Sequence, residues 1–197
     1  MKLLRETIRK ILLTEVAKTH HDIPPGYFIA MREADGEWAR WEIMKGGPSY
    51  YTEVYDGPVR GFIEIGRVHQ HRYGNCSDAW NVRVSRAAEG FGPMLYDIAI
   101  EYATDSGSGL ISDRGTVSAA AREVWEYYDQ NRTDIEKIQL DNRQDTFKNG
   151  PEDDCDQDVC GRSDNKAWKQ SSLSKMYKSK SSGRIKELER LGKLIKV

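Results

Sequence analysis

The spacing of hydrophobic positions changes along this chain, and each change predicts an element. In residues 3–18, LLRETIRKILLTEVAK, Leu4, Ile8, Ile11, Leu12 and Val16 fall on one face at helical period. Pro24 and Pro25 in HHDIPPG end that helix, because proline has no backbone N–H and its ring clashes with the preceding turn. From Tyr27 the texture is that of strands. YFIAMREA and EWARWEIMK flank Asp35-Gly36, a dipeptide suited to the left-handed backbone of a tight hairpin. KGGPSYYTEVYDGPVRG supplies a loop with two Gly/Pro turn signals. FIEIGRVHQHR and AWNVRVS then read as two further strands joined by YGNCSD. Four strands up to Ser85 predict an antiparallel meander.

After Gly92 the period lengthens. Leu95, Ile98, Ala99 and Tyr102 recur at helical spacing, which predicts a helix over 93–105 ended by SGSG. GLIS is a short apolar strand. Ser118 can cap the next helix, with Ala121, Val124, Trp125 and Tyr128 as its inner stripe. DIEKIQLD alternates and returns as a strand. This order implies a parallel crossover, with helices against a mixed sheet. Beyond Asp145 the pattern fades into polar, turn-forming sequence that reads as loop or extension. Ile185, Leu188, Leu191 and Ile195 predict a last, basic helix over 184–196. The expected class is α/β (α+β): a mixed, mostly antiparallel sheet flanked by helices. Its divisions are an N-terminal amphipathic helix (1–22), a central domain (23–145) and a polar extension (146–197).

Composition narrows the partners. The 197 residues are 38% hydrophobic and 31% charged, with a formal net charge of −1. That balance fits a globular protein rather than a basic nucleic-acid binder. Apolar runs are only a few residues long, so no membrane span is expected. Arg9 and Lys10 interrupt any secretory segment. Cys76, Cys155 and Cys160 make no disulfide framework, so the expected location is cytoplasmic. The net charge conceals two opposed blocks. Glu152 to Asp158 holds five acids and no base, while Lys175 to Val197 holds eight Lys/Arg against two Glu. The basic block reads either as a solvated helix or as a surface for nucleic-acid phosphates or a protein partner.

The loop AAEGFGP, Ala87 to Pro93, joins a strand to a helix. Glycine lets backbone approach a ligand closely, and the amino end of a helix carries positive potential, so such a loop can hold a phosphate. Equally, it can be no more than a turn leading into a helix. The run WNVRVS, AAEGFGP, GLISD, SAAAREVWEYY resembles the GNAT superfamily of acyl-CoA-dependent N-acyltransferases over residues 58–141. Gly90, Gly92 and Leu95 occupy that family's glycine and leucine positions, and Ala121, Trp125 and Glu126 match its second helix. The resemblance implies acetyl-CoA as co-substrate. Val82 and Val84 would lie on the strand that pairs with the pantetheine arm, and Ala88, Glu89, Gly90, Phe91 and Gly92 at the pyrophosphate. Departures are visible: Ala87 stands where the family has Gln or Arg, Pro93 removes an N–H, and Glu89 adds a carboxylate. The tight Asp35-Gly36 turn also replaces two helices usual in the family.

N-acyl transfer needs a base for the amine and often an acid for the thiolate. Glu64 is the candidate base by position, against the reading of an exposed strand carboxylate. Trp125 stands where the family often has its acidic Tyr; Tyr127 and Tyr128 could substitute, though Tyr128 falls on the apolar stripe. His69 and His71 share a strand face with Cys76 nearby, but no fourth ligand is apparent and no metal site is expected. Residues 1–15 also resemble the opening helix of several tailed-phage proteins. Two functions follow. One is an acyltransferase acting on coenzyme A thioesters and an amine. The other is a non-catalytic virion or assembly protein, docking on protein partners through its terminal segments.

Overall fold

A computed structural model describes residues 18–46, 60–68, 78–88, 90–112, 117–140 and 170–197. Eight strands are present among these: β1 (Tyr27–Ala34), β2 (Trp38–Lys45), β3 (Gly61–Arg67), β4 (Trp80–Ala87), β5 (Leu110–Ile111), β6 (Ile135–Gln139), β7 (Lys175–Ser179) and β8 (Leu194–Lys196). Three α-helices accompany them: α1 (Phe91–Asp105), α2 (Ala119–Asn131) and α3 (Arg184–Arg190). The strands hydrogen-bond in the order β6-β7-β5-β4-β3-β2-β1-β8. The sheet is mixed and mostly antiparallel, with parallel pairs at β1–β8 and β4–β5.

The chain forms two compact units: Met1–Glu64, Val84–Ile98 and Gly183–Val197 make the first, and Ile65–Arg83 with Ala99–Ser182 the second. In the first, β1 and β2 pair from Tyr27↔Lys45 to Ala34↔Trp38. Asp35 (φ 48°) and Gly36 (φ 68°) make the turn, as expected of that dipeptide. Phe28–Met31 and Trp41–Met44 are buried as unbroken runs, so both faces of this hairpin are covered. Phe28, Ala30 and Met44 form one cluster, with Ile195 of β8 packed against it.

In the second unit an aromatic core lies under α2. Trp125, Tyr128 and Tyr177 are fully buried, and the Trp125 and Tyr177 rings lie 4.9 Å apart. Ser118 caps α2 by accepting the Ala121 N–H at 3.2 Å. Met176 joins Ala79, Ile111 and Leu140 in a neighbouring cluster.

Two expectations for the C-terminal region are corrected. Lys175–Ser179, expected as loop, is a strand between β5 and β6, paired Leu110↔Tyr177 on one side and Lys137↔Tyr177 on the other. Its adjacent Met176 and Tyr177 are both buried, one on each face, so no alternation was there to see. The helix expected over 184–196 stops at Arg190. Gly192 adopts φ 63°, and the Lys193 N–H returns to the Leu188 carbonyl at 2.8 Å. A left-handed glycine closing a helix end in this way frees the chain to leave as β8. The helix expected over 3–18 lies outside the described residues, apart from Lys18, which is not helical. Among the described residues, no helix is long and apolar enough to cross a membrane.

Candidate functional site

The strand–turn–helix corner from β4 to α1 is where the regular ladder gives way. The Val68 N–H bonds Ala79 and the Ala88 N–H bonds Arg60, so β3 and β4 run antiparallel. Between those bonds β3 advances by eight positions, from Arg60 to Val68, and β4 by nine, from Ala79 to Ala88. The extra residue makes a bulge, a device that re-aims side chains. Burial agrees: Trp80 and Val82 are buried in alternation, and then Arg83 and Val84 are both exposed in succession. Val84 is 43% exposed, unusual for an apolar residue on an interior strand.

On its other side β4 pairs with β5 at Trp80↔Leu110 and Asn81↔Ile111, the two pairs present among the described residues. Beyond Asn81, β4 runs on for six residues, Val82 to Ala87, into the turn. Ser85 is tied to the Tyr96 hydroxyl at 3.1 Å, which fixes the strand against the first turns of α1. Burial pushes the Tyr96 hydroxyl above its ordinary range, and the Ser85 bond opposes this in part.

The turn is held from three sides. The Arg60 carbonyl accepts the Ala88 N–H at 2.8 Å, and the Ala88 carbonyl accepts the Phe91 N–H at 3.1 Å. Gly90 has φ 83°, a conformation that a Cβ would strain. Its carbonyl accepts the Lys18 N–H at 3.0 Å. The Lys18 ammonium lies 3.9 Å over the ring of Phe91, which is fully buried. α1 starts at Phe91, two residues earlier than expected. Pro93 therefore falls in its first turn, where helix amides have no intrahelical partner and a missing N–H breaks nothing. Arg60 also bonds the Tyr27 hydroxyl at 3.1 Å. Chemically, the corner combines a bulged strand, glycine backbone, the positive end of a helix and an ammonium group. Glu89 lies outside the described residues.

Glu64 sits half-buried on β3, and Arg40 reaches it at 3.3 Å. The same guanidinium contacts Glu42 at 2.7 Å and stacks over Phe62 at 4.1 Å, so one arginine bridges two carboxylates. Tyr128 has no exposed surface and is surrounded by rings, with Tyr127, Trp125 and Tyr177 centred 5.8, 6.5 and 6.2 Å away. Its hydroxyl belongs to the core of the second unit, whereas the Gly90 turn belongs to the first. His69, His71, Cys76, Cys155 and Cys160 lie outside the described residues, among which no cluster of His, Cys, Asp or Glu is arranged for a metal.

The basic C-terminal block is largely engaged within the fold. Lys175 pairs with Asp129, Arg184 with Asp97, Arg190 with Glu187 and Lys196 with Glu189. The Lys193 ammonium donates to the Pro24 and Tyr27 carbonyls. Sequence reasoning missed Lys18, Arg40 and the Ser85–Tyr96 pair. Only the last left a signal, a Tyr one helical turn past the second glycine of the loop. No protein-family model, curated protein or solved structure matches this chain.

Proposed function

We propose that this protein is a GNAT-type N-acyltransferase that takes an acetyl group from acetyl-CoA to an amine. One observation carries the reading: β4 bulges against β3, exposes Val84, and ends at a left-handed glycine opening α1. Backbone N–H and C=O groups on such a strand can pair with the amides of a pantetheine arm as another strand would. The turn at Ala88 to Gly92 and the amino end of α1 suit the pyrophosphate, and the Lys18 ammonium adds a positive charge there. In the reaction the amine nitrogen bonds the thioester carbonyl carbon, the carbon–sulfur bond breaks, and sulfur leaves as thiolate. Glu64, held by Arg40 at 3.3 Å, takes the proton the amine gives up.

Calorimetry with acetyl-CoA tests this. Binding in the micromolar range is expected, lost in Gly90→Asp and kept in Gly36→Asp, a second left-handed glycine with open space around it. No heat from the native chain at high protein concentration would overturn the proposal. The alternative is a non-catalytic assembly protein of the tailed-phage kind; of its proposed docking segments, 1–17 and 146–169 lie outside the described residues, and 170–197 include β7, α3 and β8.

A further inference from the structure

Lys18 makes two contacts with the glycine turn, across a sequence separation that no local preference could bridge. Its N–H donates to the Gly90 carbonyl at 3.0 Å, and its ammonium rests 3.9 Å over the Phe91 ring. The next residues along the chain are themselves fixed. The Thr19 N–H and hydroxyl both donate to the Asp22 carboxylate at 2.8 Å, and the Thr19 oxygen accepts the His21 N–H. Ile23 is buried, and Lys193 next to β8 holds the Pro24 and Tyr27 carbonyls. The stretch from Lys18 to Tyr27 is thus anchored at one end to the turn and at the other to the start of β1.

A left-handed glycine has many backbone states open to it, so its conformation is kept only by what binds its neighbours. Here the Gly90 carbonyl is bound by Lys18. The ammonium lies near the positive end of α1, which the helix dipole disfavours and the ring attraction offsets. We infer that residues 18–23 form a strap that sets the shape of the Gly90 turn, with Lys18 the residue coupling them. Docking of the strap and binding at the turn are then linked equilibria, each strengthening the other. This linkage rests on the coenzyme reading above; the strap's hold on the turn does not.

Hydrogen exchange on the full chain separates the two. Lys18→Pro removes the N–H donor, and the amides of residues 88–95 should then exchange on the order of tenfold faster, while those of 27–45 keep their rate. Unchanged exchange at 88–95 overturns the strap. If Lys18→Pro loosens 27–45 as well, Lys18→Ala decides: it keeps the N–H, loses the ammonium, and should speed exchange at 88–95 by about twofold to threefold. No change there overturns the strap equally. Acetyl-CoA added to the native chain should slow exchange at 18–23 as well as at 88–95. Protection of 88–95 alone overturns the linkage. Protection of neither sinks the coenzyme reading, and the Lys18 variants still decide the strap.

Discussion

The β1–β2 hairpin and the β4–α1 corner are both built on left-handed residues, Asp35 and Gly36 in one, Gly90 in the other. They differ in the element that each turn leads into. After Gly36 the chain returns as a strand and pairs in register from Ala34↔Trp38 to Tyr27↔Lys45. After Gly90 it becomes a helix, and the strand behind it keeps two described pairs with β5. Where two strands pair in register right up to the turn, the glycine serves the fold. Where a strand bulges on its way into a helix its side chains are re-aimed, and an apolar one stands outside, as Val84 does.

The hairpin should break hardest. Trp41 is fully buried in β2, and Trp41→Ala should cost about 3–5 kcal/mol in urea unfolding, a large share of an ordinary domain's stability. A cost under about 1 kcal/mol would mean the hairpin is not the packed region described. Next come the two glycines. Gly36→Ala and Gly90→Ala each force an L-residue into a left-handed backbone, at about 1 kcal/mol. Their stabilities should fall together, yet only Gly90→Ala should weaken acetyl-CoA binding. Equal loss of binding in both would erase the distinction between the turns. Val84→Ala removes a side chain already 43% exposed and should change stability by less than about 0.5 kcal/mol. A loss as large as a core truncation would place Val84 in a packed interior and leave the corner no open strand.

The sequence was readable where local chemistry and long-range pairing agree. Asp35-Gly36 sits between two runs of strand texture, and the predicted meander and the β4–α1–β5 crossover are both present. It was misread where pairing decides. KMYKS has the look of a lysine-rich loop, and it becomes β7 because β5 and β6 lie on either side with Trp125 packed against Tyr177. In 184–196 the apolar stripe continued past the point where Gly192 ends the helix. That glycine was the available signal. At the corner, Gly90 and Gly92 stood out in the sequence, but the bulge emerges only from the bonds between β3 and β4. The Lys18 contacts likewise arise only once the chain has folded.

The smallest effect belongs to the strap, and it sharpens the same contrast, since it concerns what holds an open turn rather than what fills a core. The Asp22 carboxyl is held below its ordinary value of 3.8, first by the Thr19 N–H, then by the Thr19 hydroxyl, and less by the charges of His21 and Lys18. A group bound more tightly as its anion in the folded state adds stability above its unfolded pKa and loses it as pH falls through the lower folded value. The carboxylate stands in solvent, so the contribution is small. Urea midpoints of the native chain and Asp22→Ala should therefore differ slightly at about pH 6 and converge below the ordinary carboxylate range. The exchange rate at residues 88–95 should track the same profile, because the strap reaches the turn through Lys18. A gap that widens on acidification would show that the Thr19–Asp22 bonds do not hold the strap in its described form.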